Sequence, residues 1–394
     1  MYFSLYLHFP FCKRKCLYCD FCSAAASEDD MRAYCDALCR EIALTAPMFA
    51  GSTADTVFLG GGTPSIVPPD AMRKVLAALR ERFAIAPNAE FTSEANPGTL
   101  TDAWLDALCD AGLNRLSIGL QAKQPRLLTM LGRIHDHQQA LDALATAKRH
   151  GIRNLNADAM FGLPTQTLAE YLDTLAGICD AGVTHVSAYS LILEDGTPLK
   201  RQVISGELPA PDDDLAADML QAGARFLKER GVHRYEISNY AKDGFACRHN
   251  LGYWQGKIYL GLGVSAASML PSAEPDVFWT RRANTASLPD YLRAVSEGRL
   301  PIVDEHPVRR NEAIFETLML GLRTTQGVDA AAFAARFGAS LASLYGDTIR
   351  RLQDEGLALP RDDRLALTER GLALQNTVLM RFLPERLART FAND

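Results

Sequence analysis

Long apolar runs are missing from this sequence: nothing reaches the roughly 18 uninterrupted apolar residues that a membrane-spanning helix needs. A secretory leader is missing as well. The opening MYFSLYLHFPFC has no basic stretch and no small-residue cleavage site before its first cysteine, and it reads as a strand. Neither sign of charge dominates. Lys and Arg number 41 against 47 Asp and Glu, for a net charge of −6, so no general pull towards nucleic acid is expected. There is no internal repeat and no low-complexity tract, and 48% hydrophobic residues exclude a disordered or collagen-like chain. Nine cysteines, an odd number without a leader, argue against a disulfide framework. The expected class is a soluble cytosolic protein. Its 394 residues predict two or three domains unless one is a large α/β barrel.

What is present is an alternation of two periodicities. Strand patterns occur at Phe3–His8, Thr56–Leu59, Glu90–Glu94, Arg115–Leu120, Asn154–Met160 and His185–Leu193. Between them the 3.6-residue apolar period predicts helices over Met31–Leu44, Ala71–Phe83, Asp102–Ala111, Gln138–His150, Leu168–Ala181 and Leu215–Glu229. Six β-then-α units imply parallel strands with right-handed crossovers, in a doubly wound sheet or an incomplete barrel. In either, ligands gather at the carboxyl ends of strands. The polar and glycine signals fall there: the cysteine run, Gly60–Pro64, Glu94, Gln121, Asp158 with Phe161–Pro164, and Glu194. Beyond residue 231 come a possible strand at Tyr235–Tyr240, the segment CRHNLGYW and the glycine-rich YLGLGVSAAS. Pro271–Pro289 reads as a loop or linker, helices return from Glu312, and a small hairpin is expected around Leu357–Leu367.

The spacing Cys12-x-x-x-Cys16-x-x-Cys19 is the central chemical signal. A structural zinc site usually takes two ligand pairs, and no second pair lies nearby. A [4Fe–4S] cluster fits better, because one short loop can hold three of its irons and leave the fourth open. Lys13, Arg14 and Lys15 would offset the charge of a thiolate-bound cluster. Zinc and free thiols are the alternatives. Cys35, Cys39, Cys109 and Cys179 sit in apolar helical patterns and read as packing.

The loop, with aromatic Tyr18 before its last cysteine, resembles the CxxxCxxC signature of the radical S-adenosylmethionine superfamily. The resemblance implies an incomplete (β/α)6 TIM-like barrel followed by a mostly α, winged-helix-like C-terminal domain. It divides the chain into a core at 1–232, an extension at 233–300 and a C-terminal domain at 301–394. It also implies S-adenosylmethionine on the open iron, where an electron from the cluster cleaves the sulfonium to a 5′-deoxyadenosyl radical. The blocks SLYLHFPFC, FLGGGTPS, SEANP, RLSIGLQ, LGRIH, NADAMFGLPTQT and RYEISNY resemble the coproporphyrinogen dehydrogenase-like branch over nearly the whole length. Matched by position, this implies S-adenosylmethionine contacts at Tyr6, Gly62, Thr63 and Glu94, and a second nucleotide or substrate region at Gln121, Arg133 and Asp158. His8 and His135 read as supports rather than ligands.

Within the branch, Phe21 stands where the dehydrogenases resemble one another in a fourth cysteine, and Cys22 follows, expected to point elsewhere. The first strand begins at residue 2, so the dehydrogenases' N-terminal lid is expected to be absent. His249-Asn250-x-x-Tyr253-Trp254 is similar to the HNxxYW motif of the HemW-type haem chaperones. An imidazole can ligate haem iron, with Cys247 as the alternative, the aromatic rings offer flat faces, and Asn250 can bond a propionate. Ala267, in contrast, matches the dehydrogenase wording of the glycine-rich segment. The resemblance implies a chaperone that binds haem and delivers it to acceptor haemoproteins such as respiratory cytochromes, without coproporphyrinogen oxidase activity. It places the protein in the cytosol, peripheral at the inner membrane face where acceptors are membrane-bound, and implies dimerisation on cluster assembly. No catalytic residue is assigned. The alternatives are oxygen-independent coproporphyrinogen III oxidase, or a radical methyltransferase or haem-opening enzyme.

Overall fold

The structure, a computed structural model, describes residues 1–383. Strands β1 (Tyr2–Phe9), β2 (Thr53–Gly61), β3 (Ala84–Ala95), β4 (Arg115–Gln121), β5 (Asn154–Phe161) and β6 (His185–Ser190) alternate with helices. These are α1 (Glu28–Thr45), α2 (Pro69–Arg82), α3 (Asp102–Asp110), α4 (Pro125–Met130), α5 (His137–Arg149) and α6 (Leu168–Asp180). The six strands pair in parallel in the order of the sequence. A doubly wound sheet reverses its strand order at a switch point, so this serial order decides for barrel-type winding.

The sheet grows at both edges. After α7 (Pro198–Ile204) and α8 (Asp213–Lys228), the short β7 (His233–Arg234) and β8 (Asn239–Ala241) add antiparallel beside β6. After α9 (Arg248–Trp254), β9 (Tyr259–Leu262) lies parallel to β1, and β10 (Ala267–Leu270), β11 (Val277–Asn284) and β12 (Ile302–Arg309) follow antiparallel. Among the described residues no pairing joins the outer strands β12 and β7, so the barrel is incomplete. Pro271–Pro289 is therefore not a linker. VFWTRRAN inside it pairs on both sides, and the prolines lie outside those eight residues, where no ladder hydrogen bond is required of them.

Helix α10 (Leu288–Ser296) returns along α1, and the rest is mostly helical: α11 (Arg310–Gly321), α12 (Ala330–Phe337), α13 (Leu341–Asp354), α14 (Glu369–Ala373) and α15 (Gln375–Met380). The expected hairpin is a narrow wing, with a bridge at Ala358 and Leu367, and Arg364–Leu365 paired to Val328–Asp329. Residues 384–394, which the sequence assigns to this unit, lie outside the described residues. Among the described residues two larger apolar cores result, beside a smaller third around Leu127, Leu131 and Leu199. One lies between the parallel strands and their helices (Leu5, Leu7, Leu59 and Ile118 against Leu38, Leu76 and Leu144). The other joins Met269, Trp279 and Val308 of the added strands to Ile314, Leu318, Phe333 and Leu352. No described helix is long and apolar enough to cross a membrane.

Reciprocal capping boxes start three helices directly after loops of the sheet's carboxyl edge: Ser27 with Asp30, Asp136 with Gln139 and Thr167 with Glu170. Each contributes about 1 kcal/mol and fixes where its loop ends. The added strands are tied to α1 by a buried carboxylate. Glu41 of α1 accepts hydrogen bonds from Gly263 N (2.7 Å), Tyr291 Oη (2.7 Å) and Asn284 Nδ2 (2.6 Å). Burial pushes it up to about 7 against those three donors, which favour the charged form. Because the folded value lies above the ordinary 4.5, the native state holds the proton more tightly than the unfolded chain. The contribution is full below pH 4.5 and is lost as pH rises through 7. Replacing Glu41 with Gln should therefore flatten the fall in stability between pH 5 and pH 8, by about 3 kcal/mol across the window. Denaturant midpoints across pH check this; an unchanged slope in the variant would refute it.

Candidate functional site

At the carboxyl edge of the parallel strands a cavity of ≈ 460 Å³ opens under the loop that follows β1. The loop is closed at its base by Cys12 N donating to Ala24 O and Ala24 N to Pro10 O, both 3.0 Å. It is locked to the turn after β2 by Gly62 N donating to Phe9 O (2.8 Å) and Thr63 N to Phe11 O (2.7 Å). Gly62 is required there, since a Cβ would stand 2.5 Å from Phe11 O. From beneath, His8 Nε2–H donates to Cys22 O (2.9 Å) while its Nδ1 accepts from Tyr6 Oη (3.0 Å).

Cys12, Cys16 and Cys19 all face the cavity. They surround its end without converging: among the described residues no His, Cys, Asp or Glu triple is tight enough for one metal ion. A cubane, with one iron per thiolate, suits ligands spread in this way. Two of the sulfurs have hydrogen-bond donors aimed at them. Arg133 Nη1 reaches Cys16 Sγ (3.4 Å) and Thr63 Oγ1 reaches Cys12 Sγ (3.5 Å). Arg133 Nη2 is fixed by Asn96 Oδ1 (2.7 Å) and Gly119 O (2.6 Å), and Asn96 Nδ2 in turn holds Thr63 Oγ1 (2.8 Å). Cys22 turns away, its thiol against Ala286 O at 3.4 Å.

Tyr18, Gly62, Glu94, Gln121, Arg133, Asp158 and Asn250 share this cavity with the three cysteines. Gln121 holds a positive φ of 70° and accepts from Tyr189 Oη (2.8 Å), a strained backbone held by its surroundings. Glu94 accepts from Gly61 N (3.2 Å), and burial, then the charge of Asp158, push it up to about 8. Asp158 is also raised by burial, although Asn156 Nδ2 donates to it (2.7 Å). Burial thus shifts both carboxyl groups towards the neutral form, and a nearby cation shifts them back.

Other expected contacts lie elsewhere. Tyr6 is behind the wall, engaged with His8, and Thr63 backs the cysteine loop. His135 donates to Leu120 O (3.2 Å), again a support. The largest departure concerns HNxxYW. His249 is 1% exposed and off the cavity, with Nδ1 bonded to Thr56 Oγ1 (2.8 Å) and Nε2 to Tyr253 Oη (3.0 Å), and its ring stacked on Phe58. With both nitrogens engaged, it offers no lone pair to haem iron in this structure. Tyr253 packs edge-on against Tyr259, Trp254 lies under Arg323, and the Cys247 thiol is buried against Glu90. Sequence reasoning missed Arg115, Ser117, Asn156, Ser187 and Asn239, which all line the same cavity. For Arg115 and Ser117 the signal was available as the alternate positions of RLSIGLQ, whose period-2 faces are polar and apolar, and for Asn156 as the alternation of Asn154, Asn156 and Asp158 in β5.

A family model of the Radical SAM superfamily matches residues 6–177, and one of the HemN C-terminal domain matches residues 308–374. The protein "Heme chaperone HemW" of Bacillus subtilis is 33% identical over 383 residues, 97% of this chain and 99% of that one. Its namesake from Escherichia coli is 35% identical over 393 residues, 97% and 98% of the two chains. The chain belongs to the radical SAM superfamily, in its HemW branch. The family implies a [4Fe–4S] cluster and S-adenosylmethionine. Coproporphyrinogen III oxidase (HemN) from Escherichia coli, a solved structure, superposes with a TM-score of 0.83 at 24% identity, covering 96% of this chain and 89% of that one. It establishes the shared fold.

Two outcomes are expected. Gly62→Ala should displace the cysteine loop and lower iron content after anaerobic reconstitution at least severalfold; full iron loading would refute the close approach. His249→Ala should destabilise haem-free protein by about 2–4 kcal/mol in urea, since it empties a stacked site and orphans two hydroxyl groups. Unchanged stability would return His249 to the role of a free ligand.

Proposed function

We propose that this protein is a haem chaperone. It holds a [4Fe–4S] cluster on Cys12, Cys16 and Cys19, takes S-adenosylmethionine beside it, and binds haem for delivery to acceptor haemoproteins. The observation that carries the reading is end-to-end likeness to proteins named heme chaperone HemW, combined with three unpaired thiols on one cavity wall. When bound, the cluster supplies single electrons to a sulfonium.

The chain's own residues do the rest. Arg133 and Thr63 stabilise thiolate charge through N–H and O–H donors aimed at sulfur. Glu94 and Asp158 supply carboxylates for an ammonium or for ribose hydroxyls. The raised value of Glu94 means that a cationic ligand beside it binds with loss of a proton at neutral pH. Tyr18 and Gln121 frame the nucleotide. Asn250 is the HNxxYW residue that reaches the wall, where it can bond a propionate, while His249 holds it in place from behind. Tyr253 and Trp254 complete that support. On the rim, Phe21 is exposed, giving the macrocycle an apolar face, and Arg14 and Lys15 give its propionates positive charge.

The test is one anaerobically reconstituted sample, titrated with haem and assayed with coproporphyrinogen III, reductant and S-adenosylmethionine. A haem absorbance band, transfer of haem to an apo-cytochrome, and no vinyl product are expected. Changing Cys12, Cys16 and Cys19 to Ser should abolish bound iron. Vinyl product would replace the chaperone by the oxidase, and methylated or ring-opened tetrapyrrole would replace it by a radical enzyme acting on the ring.

A further inference from the structure

Arg115 opens β4 and is 2% exposed, yet it lines the cavity. Its Nε has no hydrogen-bond partner, and nearby charges reach it only through space. The contrast with Arg133 is informative, because two of that guanidinium's nitrogens are placed by Asn96, Gly119 and Cys16. The carboxylates nearest to Arg115 in charge are committed elsewhere. Glu90 accepts from Arg248 N and His249 N, both 2.9 Å, and Asp158 accepts from Asn156. A buried guanidinium left without acceptors is costly unless something else occupies its donors.

The wall around it is built for a polar guest. A packed barrel fills its interior with Val, Ile and Leu. Here Ser117, Asn156 and Ser187 form a hydrogen-bonded layer, with Asn156 Nδ2 on Ser117 Oγ (2.7 Å) and Ser187 Oγ on Asn156 Oδ1 (3.1 Å). His185 Nδ1–H braces the same oxygen at 2.6 Å. Asn239 Oδ1, on the same wall, also has no partner. This end is remote from the thiols. Arg115 lies four residues before Gly119, whose carbonyl holds Arg133 at Cys16, which is about 13 Å along the strand. One amino-acid end bound at the cluster cannot also reach it.

We propose that Arg115 is the receptor for a carboxylate carried by a second organic ligand that extends to the inner end of the cavity. Its planar fork matches a carboxylate with two parallel N–H···O bonds. That this carboxylate is a tetrapyrrole propionate rests on the haem reading above.

The experiment compares haemin with haemin dimethyl ester, which lacks the acid groups, by titration of the reconstituted full chain and its Arg115→Gln and Arg115→Lys variants. Wild type should bind the acid about 10- to 100-fold more tightly than the ester. Arg115→Gln should lose most of that preference, keeping only what Arg14, Lys15 and Asn250 give the other propionate, Arg115→Lys should fall between, and S-adenosylmethionine affinity should be unchanged. Should Arg115→Gln fail to fold, the acid–ester difference in wild type and its reduction in Arg115→Lys decide. Equal binding of acid and ester by wild type, or discrimination undiminished in Arg115→Gln, overturns the assignment while leaving the haem reading intact. Arg115-dependent binding of coproporphyrin III without haem binding upholds the assignment and overturns the haem reading. Binding of no tetrapyrrole overturns both. Loss of S-adenosylmethionine affinity alone in Arg115→Gln overturns the second-ligand assignment in favour of the nucleotide's own carboxylate.

Discussion

Two backbone hydrogen bonds, Gly62 N to Phe9 O and Thr63 N to Phe11 O, join the end of β1 to the turn after β2, and the site depends on them. They continue the parallel ladder past the last regular pair, Phe9 with Gly61, and so carry sheet geometry into the cysteine loop. The loop then has little freedom. Its base closes on Ala24, its middle is braced by His8, and its far side is pinned by Leu17 N on Leu131 O. Three thiols placed by main-chain bonds of this kind are oriented before any metal arrives, which lowers the ordering entropy that binding must overcome.

Beneath the loop, the barrel interior is unusual in what fills it. Phe58, Glu94, Arg115, Ser117, Gly119 and Gln121 are cavity-facing residues of three neighbouring strands, and only one is apolar. Charge is balanced across that space rather than paired within it. Two guanidinium groups face carboxyl groups whose proton affinity burial has raised, so the interior is responsive to whatever charge enters. This differs from the outer face of the same strands, where Leu116, Ile118 and Leu120 pack in apolar clusters.

Much of this could be read from residue order alone. The period-2 and period-3.6 segments located all six parallel strands, and the gathering of Cys12–Cys19, Gly60–Pro64, Glu94, Gln121 and Asp158 after successive strands placed the site. Choosing barrel over doubly wound sheet needed pairing order, which local patterns do not encode. Pro271–Pro289 was misread because its prolines flank a strand whose alternation is diluted by two arginines. For HNxxYW, residue order does not say which of its side chains face the cavity, and the helix decides that. His249 and Tyr253 are four apart, hence on one helical face, and they satisfy one another, while Asn250 is turned about 100° towards the cavity. Arg115 escaped notice because a charged residue at the start of a strand usually lies in water.

The alternation within β4 limits how this molecule can vary. A one-residue slip in the register of Arg115–Gln121 would invert both faces, sending leucine and isoleucine into the cavity and arginine into the oily layer against α5. Sequence drift here is thus confined to like-for-like exchange, and the turns at either end are held too, by Asn114 bonded to Phe91 N and Ala89 O and by Lys123 N on Thr174 Oγ1.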